Sequence, residues 1–503
     1  MTSKDLNESY QKNKKQFHDY INNIKKSSSL DLYTIINTTL IKNPYTSSFP
    51  FNFFRSKLNT ENKFLLFIKS STKFYLRNLY LLISYFIAFI IYKIYYKKKR
   101  NSEPKIIIDI FGLVDKVNKE EKFTENYFTG IYEIFKDYNT EYVILLRPYL
   151  VGKNPFKLKQ FFRIINNDKR DFIFEYELLK LFDFLRLFGL VIMYPFKTLM
   201  LLQKNDSKID NIFNHALIAD IKSFNFESLT RFILGKNLSN LESIEKIYSW
   251  SEFQVIERSF NYAIRKNCSH IKLIGLQFYL NIETMFHTCI NDIDYDQLTS
   301  PHKVLVNGKY YIKDRRKVMY SSGISLRYKN IFDFKGIVEE KNILLLGSFI
   351  EKDTKNMIKS VKEFNHVIFK NHPAINLNKF AELPINIEVS IEDIYTLFIN
   401  TKLVIGTASG TVVEAVACGL SVIIIASVDN LTANPLVEYG QGEIWDIVYD
   451  INEIEDFYKK LINFRIQNPE KINEIANWYK ENFFIEPTKQ KIIETFELQK
   501  RNN

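Results

Sequence analysis

Between residues 340 and 430 the chain alternates short, unbroken apolar runs with amphipathic stretches. The runs at 343–346, 367–369, 403–405 and 422–425 carry no polar position, the pattern of strands covered on both faces of a parallel sheet. Between them, Met357, Ile358, Val361 and Phe364 recur at helical spacing within 352–364, and 391–401 predicts a further helix. A β-α-β-α-β-α-β order follows, which implies right-handed crossovers and an α/β fold. Upstream, 105–110 and 142–146 predict strands flanking a helical stretch at 127–138, and 304–312 predicts a hairpin with Asn307-Gly308 at its turn. The first 100 residues are polar, rich in Asn and Lys, and helical in pattern until the apolar stretch 79–96. At 503 residues with 46% hydrophobic content, the chain is too long for one ordinary core and apolar enough for two.

The segment 403–427 reads as a buried strand, a loop of small hydroxylated residues, a short helix, a glycine stop at Gly419 and a second buried strand. A helix beginning near Ser409 or Thr411 would leave the N–H groups of Ser409, Gly410 and Thr411 unpartnered and directed into the loop. Such an end attracts phosphates, and the loop lies at the carboxyl end of a strand, where open α/β sheets bind ligands. Thr411 and Glu414 also have the spacing of a capping box, so both readings stand at this point. Upstream, Lys370-Asn371-His372-Pro373 follows the strand 367–369. It would set an ammonium and an imidazole at a neighbouring strand end, where each can donate to a phosphate. A third strand ends in Gly347-Ser348.

The stretches KNHPA and GTASGTVVEAVACGLSVIII resemble the nucleotide-binding half of GT-B glycosyltransferases, and more nearly the enzymes of bacterial capsule and surface-carbohydrate synthesis, including transferases of Kdo and sialic acid. The resemblance implies a GT-B-like fold: two Rossmann-type domains facing a cleft, here with an extra N-terminal helical region. It also implies that His372, Thr407, Ser409 and Thr411 hold the nucleotide and its phosphate and that Glu414 meets the ribose hydroxyls. Gly347, Ser348, Lys370 and Gly410, at the same strand ends, are the further candidates for the binding site. The expected organisation is 1–100 helical, 101–335 acceptor-side α/β domain with helical insertions, 336–478 nucleotide-sugar-binding domain, and 479–503 a C-terminal helix (within a helical stretch 476–499) packing back on the first domain. The segments around Trp250 and Glu257, and around Gly275 and Gln277, resemble a Trp-Glu-bearing helix and a Gly-x-Gln loop facing the cleft.

An inverting transferase needs a carboxylate to take the acceptor's proton and fixed positive charge or N–H dipoles to hold the leaving phosphate. Asp115, Glu252 and Glu257 are the candidates for the base, and His372 for assisting departure of the nucleotide. Gln277 could bind an acceptor hydroxyl or cap its own loop. No cofactor is expected, the nucleotide-sugar (CMP-linked favoured) being the substrate. No metal is expected either, since positive charge in the phosphate-binding loop would make one unnecessary. A CDP-alditol glycerophosphotransferase, a sugar-nucleotide epimerase and a non-catalytic capsule-assembly scaffold are the alternatives on the same architecture.

With 69 basic against 57 acidic residues the net charge is +12, which favours anionic partners. Nucleic acid is not expected, because no nucleic-acid motif accompanies the charge. The three cysteines, Cys268, Cys289 and Cys418, form no metal or disulfide pattern. The stretch 79–96 is apolar apart from Lys93, is preceded by Arg77, and is followed by Lys97-Lys98-Lys99-Arg100. Spanning a bilayer, lying on it and packing in the core are all open to it; a second apolar run, 187–202, is broken by Pro195 and Lys197. The expected partners are a nucleotide-sugar donor, a glycan or lipid-linked acceptor and, peripherally, an anionic membrane. The expected location is the cytoplasm, at the inner face of the cell membrane.

Overall fold

The computed structural model describes residues 2–498 apart from 29–35, 39, 42–46, 100–103, 126, 151–153, 206 and 381–382. Two parallel sheets carry the architecture. The first holds β1 (Ile106–Leu113), β2 (Tyr142–Tyr149), β3 (Phe172–Ile173), β4 (Lys246–Trp250), β5 (Lys272–Gln277), β6 (Lys303–Val306) and β7 (Met319–Ser322) in the order β3-β2-β1-β4-β5-β6-β7. The second holds β8 (Asn342–Leu346), β9 (Val367–Lys370), β10 (Ile387–Val389), β11 (Thr401–Gly406), β12 (Ser421–Ile425) and β13 (Trp445–Val448) in the order β10-β9-β8-β11-β12-β13. These are two Rossmann-type domains. Their strand order reverses between β1 and β4 and between β8 and β11, so each opens a crevice at the carboxyl ends of those strands. The unbroken apolar runs have the expected cause: along β8, Leu344 and Leu346 enter one core while Ile343 and Leu345 enter another.

The hairpin expected at 304–312 does not form. β6 lies parallel between β5 and β7, and the chain leaves it at Asn307-Gly308 through the single 3₁₀ turn Lys309–Tyr311. The Asn-Gly pair serves as a seat for the C-terminal segment: Asn307 Nδ2 donates to the Phe483 carbonyl at 2.8 Å, and a Cβ on Gly308 would lie 2.3 Å from the Phe483 carbonyl carbon. The helix expected over 476–499 is two, Pro469–Phe483 and Lys489–Thr495, separated by a stretch containing Pro487, which lacks the N–H a helix interior requires. The second reaches the first domain, where the Phe496 ring meets Tyr248 at 5.0 Å and Phe135 at 5.7 Å.

The N-terminal region straddles both domains. On the helix Ser3–Ser27, Asn7 exchanges two hydrogen bonds with Thr432 of the second domain, at 3.1 and 3.0 Å. The same helix ends with Lys25 buried against Asp294 of the first, at 3.0 Å. The apolar stretch 79–96 belongs to the 33-residue helix Lys63–Tyr95. One side of that helix packs on the first domain along most of its length, through Phe74 on Tyr194 and Phe224, Tyr85 on Tyr176, and Tyr92 on Phe162. Its other side is bare: Leu76 is 71% exposed and Ile83 61%. The run around 187–202 forms the neighbouring helix Leu181–Leu199, whose Ile192 carbonyl accepts the Tyr75 hydroxyl at 2.9 Å. This helix also leaves an apolar side uncovered, with Phe182 72% exposed and Leu185 67%.

Candidate functional site

A cleft of about 800 Å³ lies between the two domains. Its second-domain wall is built by the loops after β8, β9 and β11. After β11 the chain turns sharply at Ala408, whose φ of 53° is in the left-handed region, where a residue with a Cβ is strained. The Ala408 N–H is held by the Ala433 carbonyl at 2.9 Å. This turn brings Ser409, Gly410 and Thr411 to the cleft surface at the start of the helix Thr411–Ala417. The Ser409 hydroxyl accepts the Thr411 N–H at 3.3 Å, so that amide is not the free donor expected of it. Thr407 is not on the cleft surface: it is buried, its hydroxyl without a hydrogen-bond partner among the described residues. Gly419 ends the helix at φ 79°, with the Leu420 N–H on the Ala415 carbonyl and the Gly419 N–H on Val416, a Schellman closure.

The Thr411–Glu414 capping box does not form; Gly410 is the N-cap and no side chain caps it. Glu414 instead faces the cleft and accepts the Tyr395 hydroxyl at 2.6 Å. Burial raises its pKa, while Tyr395 and Arg327 pull it back.

His372 is half-buried at the mouth of β9. Its Nδ1 accepts the Ala374 N–H at 3.1 Å, which places the proton of the neutral ring on Nε2. Burial, and then the positive charge of Arg327, lower its pKa, so at neutral pH the ring is an uncharged N–H donor. Gly347 permits the approach of the β8 and β9 loops, since a Cβ there would lie 2.8 Å from the His372 nitrogen. Lys370 lines the cleft with its ammonium turned onto the Glu392 carbonyl. Ser348 is structural: it is fully buried, its N–H given to Thr354 Oγ1 at 2.9 Å and its hydroxyl accepting the Ile350 N–H at 3.0 Å.

The first-domain wall contributes Glu252, just past β4, and Arg327, in the 3₁₀ turn Leu326–Tyr328. Each Glu252 oxygen accepts one bond, from Trp250 Nε1 at 3.3 Å and Gln254 Nε2 at 2.7 Å, which fixes the carboxylate in place. Among the described residues Arg327 makes no ion pair; its guanidinium lies 5.8 Å from the Tyr127 ring centre. The other base candidates lie elsewhere. Asp115 is on the outer surface, paired with Lys157 at 2.7 Å, and takes no part in lining the cleft. Glu257 sits in the helix Val255–Asn267, buried behind the cleft wall. Burial pushes its carboxyl up to about 7, with Arg147 opposing and Glu252 adding to the rise.

The Trp-Glu-bearing helix and Gly-x-Gln loop implied by the resemblance are also placed differently. Trp250 closes the strand β4, and Gly275 and Gln277 lie within β5. Gln277 is buried, and its amide donates to the Thr288 carbonyl at 2.8 Å and to Tyr279 Oη at 3.2 Å. It therefore holds the cleft loop rather than meeting a ligand. The sequence reading missed Arg327 and Tyr395: neither stands in a motif, and only the tertiary fold carries them to the cleft.

His287 also lines this cleft. Burial, and then Arg258, lower its pKa to about 3. Below pH 6.5 the unfolded chain takes up this proton before the folded one does, so stability is present above 6.5 and falls as pH drops towards 3, by about 1.4 kcal/mol per pH unit for this group. His287→Asn should flatten the pH dependence of urea unfolding in that window, and an unchanged slope would exclude His287 as its source.

No family model matches the chain, and no curated protein matches it. Solved structures do. One is the UDP-GlcNAc 2-epimerase from Neisseria meningitidis (11% identity over 78% of this chain and 99% of that one, TM-score 0.38). Another is the wall teichoic acid polymerase TagF (10%, 85% and 97%, TM-score 0.37), and a third the spinosyn rhamnosyltransferase SpnG (11%, 78% and 100%, TM-score 0.40). These likenesses span most of each chain but superpose loosely, and no activity is carried over from them.

Proposed function

We propose that this protein is a glycosyltransferase that moves a sugar from a nucleotide-sugar to a surface polysaccharide or lipid-linked glycan. The observation that carries the reading is the convergence of Arg327, His372 and the Ser409–Gly410–Thr411 turn on one cleft, opposite a fixed carboxylate, Glu252. In the reaction the acceptor hydroxyl gives its proton to Glu252, its oxygen bonds to the anomeric carbon, and the bond from that carbon to the phosphate oxygen breaks. The charge left on the phosphate meets the Arg327 guanidinium and the His372 Nε2–H, donors in place before the charge develops. An attack from the side opposite the nucleotide inverts the anomeric centre. Positive charge supplied by the protein itself is the ground for proposing a metal-independent reaction. The KNHPA and GTASG resemblance to Kdo and sialic acid transferases favours a CMP-linked donor.

The uncovered apolar sides of Lys63–Tyr95 and Leu181–Leu199, next to Lys97, Lys98 and Lys99, support peripheral association with an anionic membrane. Because the helix Lys63–Tyr95 is packed against the first domain from Phe74 to Tyr92, resting on the bilayer costs none of those contacts and spanning it costs all of them. The proposed location is accordingly the cytoplasmic face of the cell membrane.

Thermal unfolding with CMP-, UDP-, GDP- and CDP-linked compounds tests the reading. A ligand at about 100 times its Kd stabilises the fold by about 2.7 kcal/mol, so one nucleotide series should raise the midpoint in proportion to the logarithm of its concentration. CDP-glycerol as the sole stabiliser would favour the alditol phosphotransferase, and no shift with any compound would sink the enzyme reading.

A further inference from the structure

A second cavity, outside the donor cleft, lies where the helix Lys63–Tyr95 meets the carboxyl end of β2. It is small, about 90 Å³, the size for a head group rather than a nucleotide. Arg77 and Arg147 line it together with the apolar Leu81, Tyr85, Ala88 and Phe226. Arg147 has an unusual environment. Among the described residues its Nε is buried without a hydrogen-bond partner and the guanidinium makes no ion pair within 4 Å, while the Phe111 ring centre lies 5.4 Å away. A buried guanidinium nitrogen without a hydrogen-bond partner is costly, and an anion bound in the cavity would complete it. Two carboxylates, Glu175 and Glu227, share the cavity. Burial pushes Glu175 up to about 7; burial would lower the pKa of Arg147, but Glu227 and then Glu257, Asp109 and Glu175 outweigh it, so the guanidinium is charged.

From this cavity a row of rings leads to the donor cleft. Phe111 meets Tyr127 at 5.1 Å, and Tyr127 meets Trp250 at 4.2 Å; Trp250 Nε1 in turn holds Glu252. The three rings stand near the carboxyl ends of β1 and β4, between the arginines and the carboxylate. In the other direction, the helix that forms the cavity wall carries the exposed Leu76, Tyr80 and Ile83.

We propose that this cavity binds the phosphate of a lipid-borne acceptor, held by Arg77 and Arg147, with its apolar chain lying along the helix Lys63–Tyr95 and its sugar reaching over Tyr127 and Trp250 to Glu252. The inference rests on the glycosyltransferase reading for the word acceptor and deepens it by naming the acceptor's chemistry: one phosphoryl group between a hydrocarbon chain and a glycan. Guanidinium pairs with phosphate through charge-assisted bonds, and aromatic faces suit the apolar faces of a sugar.

The test measures binding of farnesyl phosphate, farnesol and inorganic phosphate to the full chain by thermal shift. Farnesyl phosphate should bind, with farnesol and inorganic phosphate each at least about tenfold weaker, and Arg147→Gln should weaken farnesyl phosphate by about tenfold or more, as loss of one charge-assisted contact does. Arg77→Gln, on an exposed part of the helix, should act in the same direction and covers the case in which Arg147→Gln does not fold. Equal binding of farnesol and farnesyl phosphate, or undiminished binding in both variants, would overturn the proposal. The nucleotide response of the same variants should be that of the native protein. If no nucleotide shifts the native protein while farnesyl phosphate binding still depends on the arginines, the enzyme reading falls and the lipid phosphate site stands.

Discussion

His372→Ala is expected to lower turnover of the nucleotide-sugar by about two to three orders of magnitude, the usual cost of removing one preorganised donor from a developing anion. The loss should fall on kcat more than on KM, because the Nε2–H gains most when the phosphate takes up charge on leaving. The fold should survive, since the ring's hydrogen bond reaches only the neighbouring Ala374 N–H. Arg327→Ala should cost a similar factor. The double variant should cost more than the product of the two, because Arg327 contributes to lowering the His372 pKa: in Arg327→Ala alone the ring protonates more readily and makes up part of the lost charge, and the double variant has no ring to do so. Steady-state kinetics on the two single variants and the double decide this. Retention of turnover by His372→Ala, with product formed at the native rate, would remove the imidazole from the mechanism.

Six interior strands are legible in the sequence, whereas the interior β4 and β5 are hidden by the Trp-Glu and Gly-x-Gln patterns they carry and the edge strands by their shortness. β1, β2, β8, β9, β11 and β12 were read directly, and each is paired on both sides, so its apolar run is dictated by cover on both faces. The four edge strands, β3, β7, β10 and β13, were all missed. They hold two to four residues, too few for a periodicity to show; in β7 no residue is buried. The Asn307-Gly308 pair misled because turn chemistry is local while its use here is tertiary: it receives the Phe483 segment from 176 residues away.

The candidate site divides in the same way. The loops after β8, β9 and β11 are strand–loop–helix units that announce themselves in sequence, and the cleft receives Gly347, Lys370, His372, Ser409, Gly410, Thr411 and Glu414 from them. Among the carboxylates of the first domain, sequence could not choose between Asp115, Glu252 and Glu257. The choice depends on where the fold carries each one: Asp115 lies on the surface after β1, Glu257 is buried in the helix after β4, and of the three Glu252 alone lines the cleft.

Asp294→Ala should destabilise the protein by about 3–5 kcal/mol, the range for leaving buried charges without their partner. Asp294 is 1% exposed and faces two cations, Lys25 at 3.0 Å and Arg258 at 2.8 Å, themselves 6% and 2% exposed. It also caps its own short helix, accepting the Asn291 N–H at 3.1 Å. Burial would raise its pKa, but Arg258 and then Lys25 outweigh that and hold it at about 2. The depressed value means that the stability it contributes is present above the ordinary carboxylate range and is lost only as pH falls towards 2, so the cost of the substitution should be constant from pH 5 to 8. Lys25 pins the end of the helix Ser3–Ser27 to the first domain, where the Gln297 amide also donates to the Lys25 carbonyl at 2.7 Å, so the variant should loosen that end of the helix while Asn7 and Thr432 still hold the other. Replacing Lys25 by Met in the same chain should recover part of the loss, because one of the two uncompensated charges goes with it. Urea unfolding of the single and double variants measures both terms. A loss below about 1 kcal/mol for Asp294→Ala would mean that the two cations find other partners, and that the N-terminal helix is held on the first domain by its other contacts, such as the Tyr20 hydroxyl on Asp210 and the Gln297 amide on the Lys25 carbonyl.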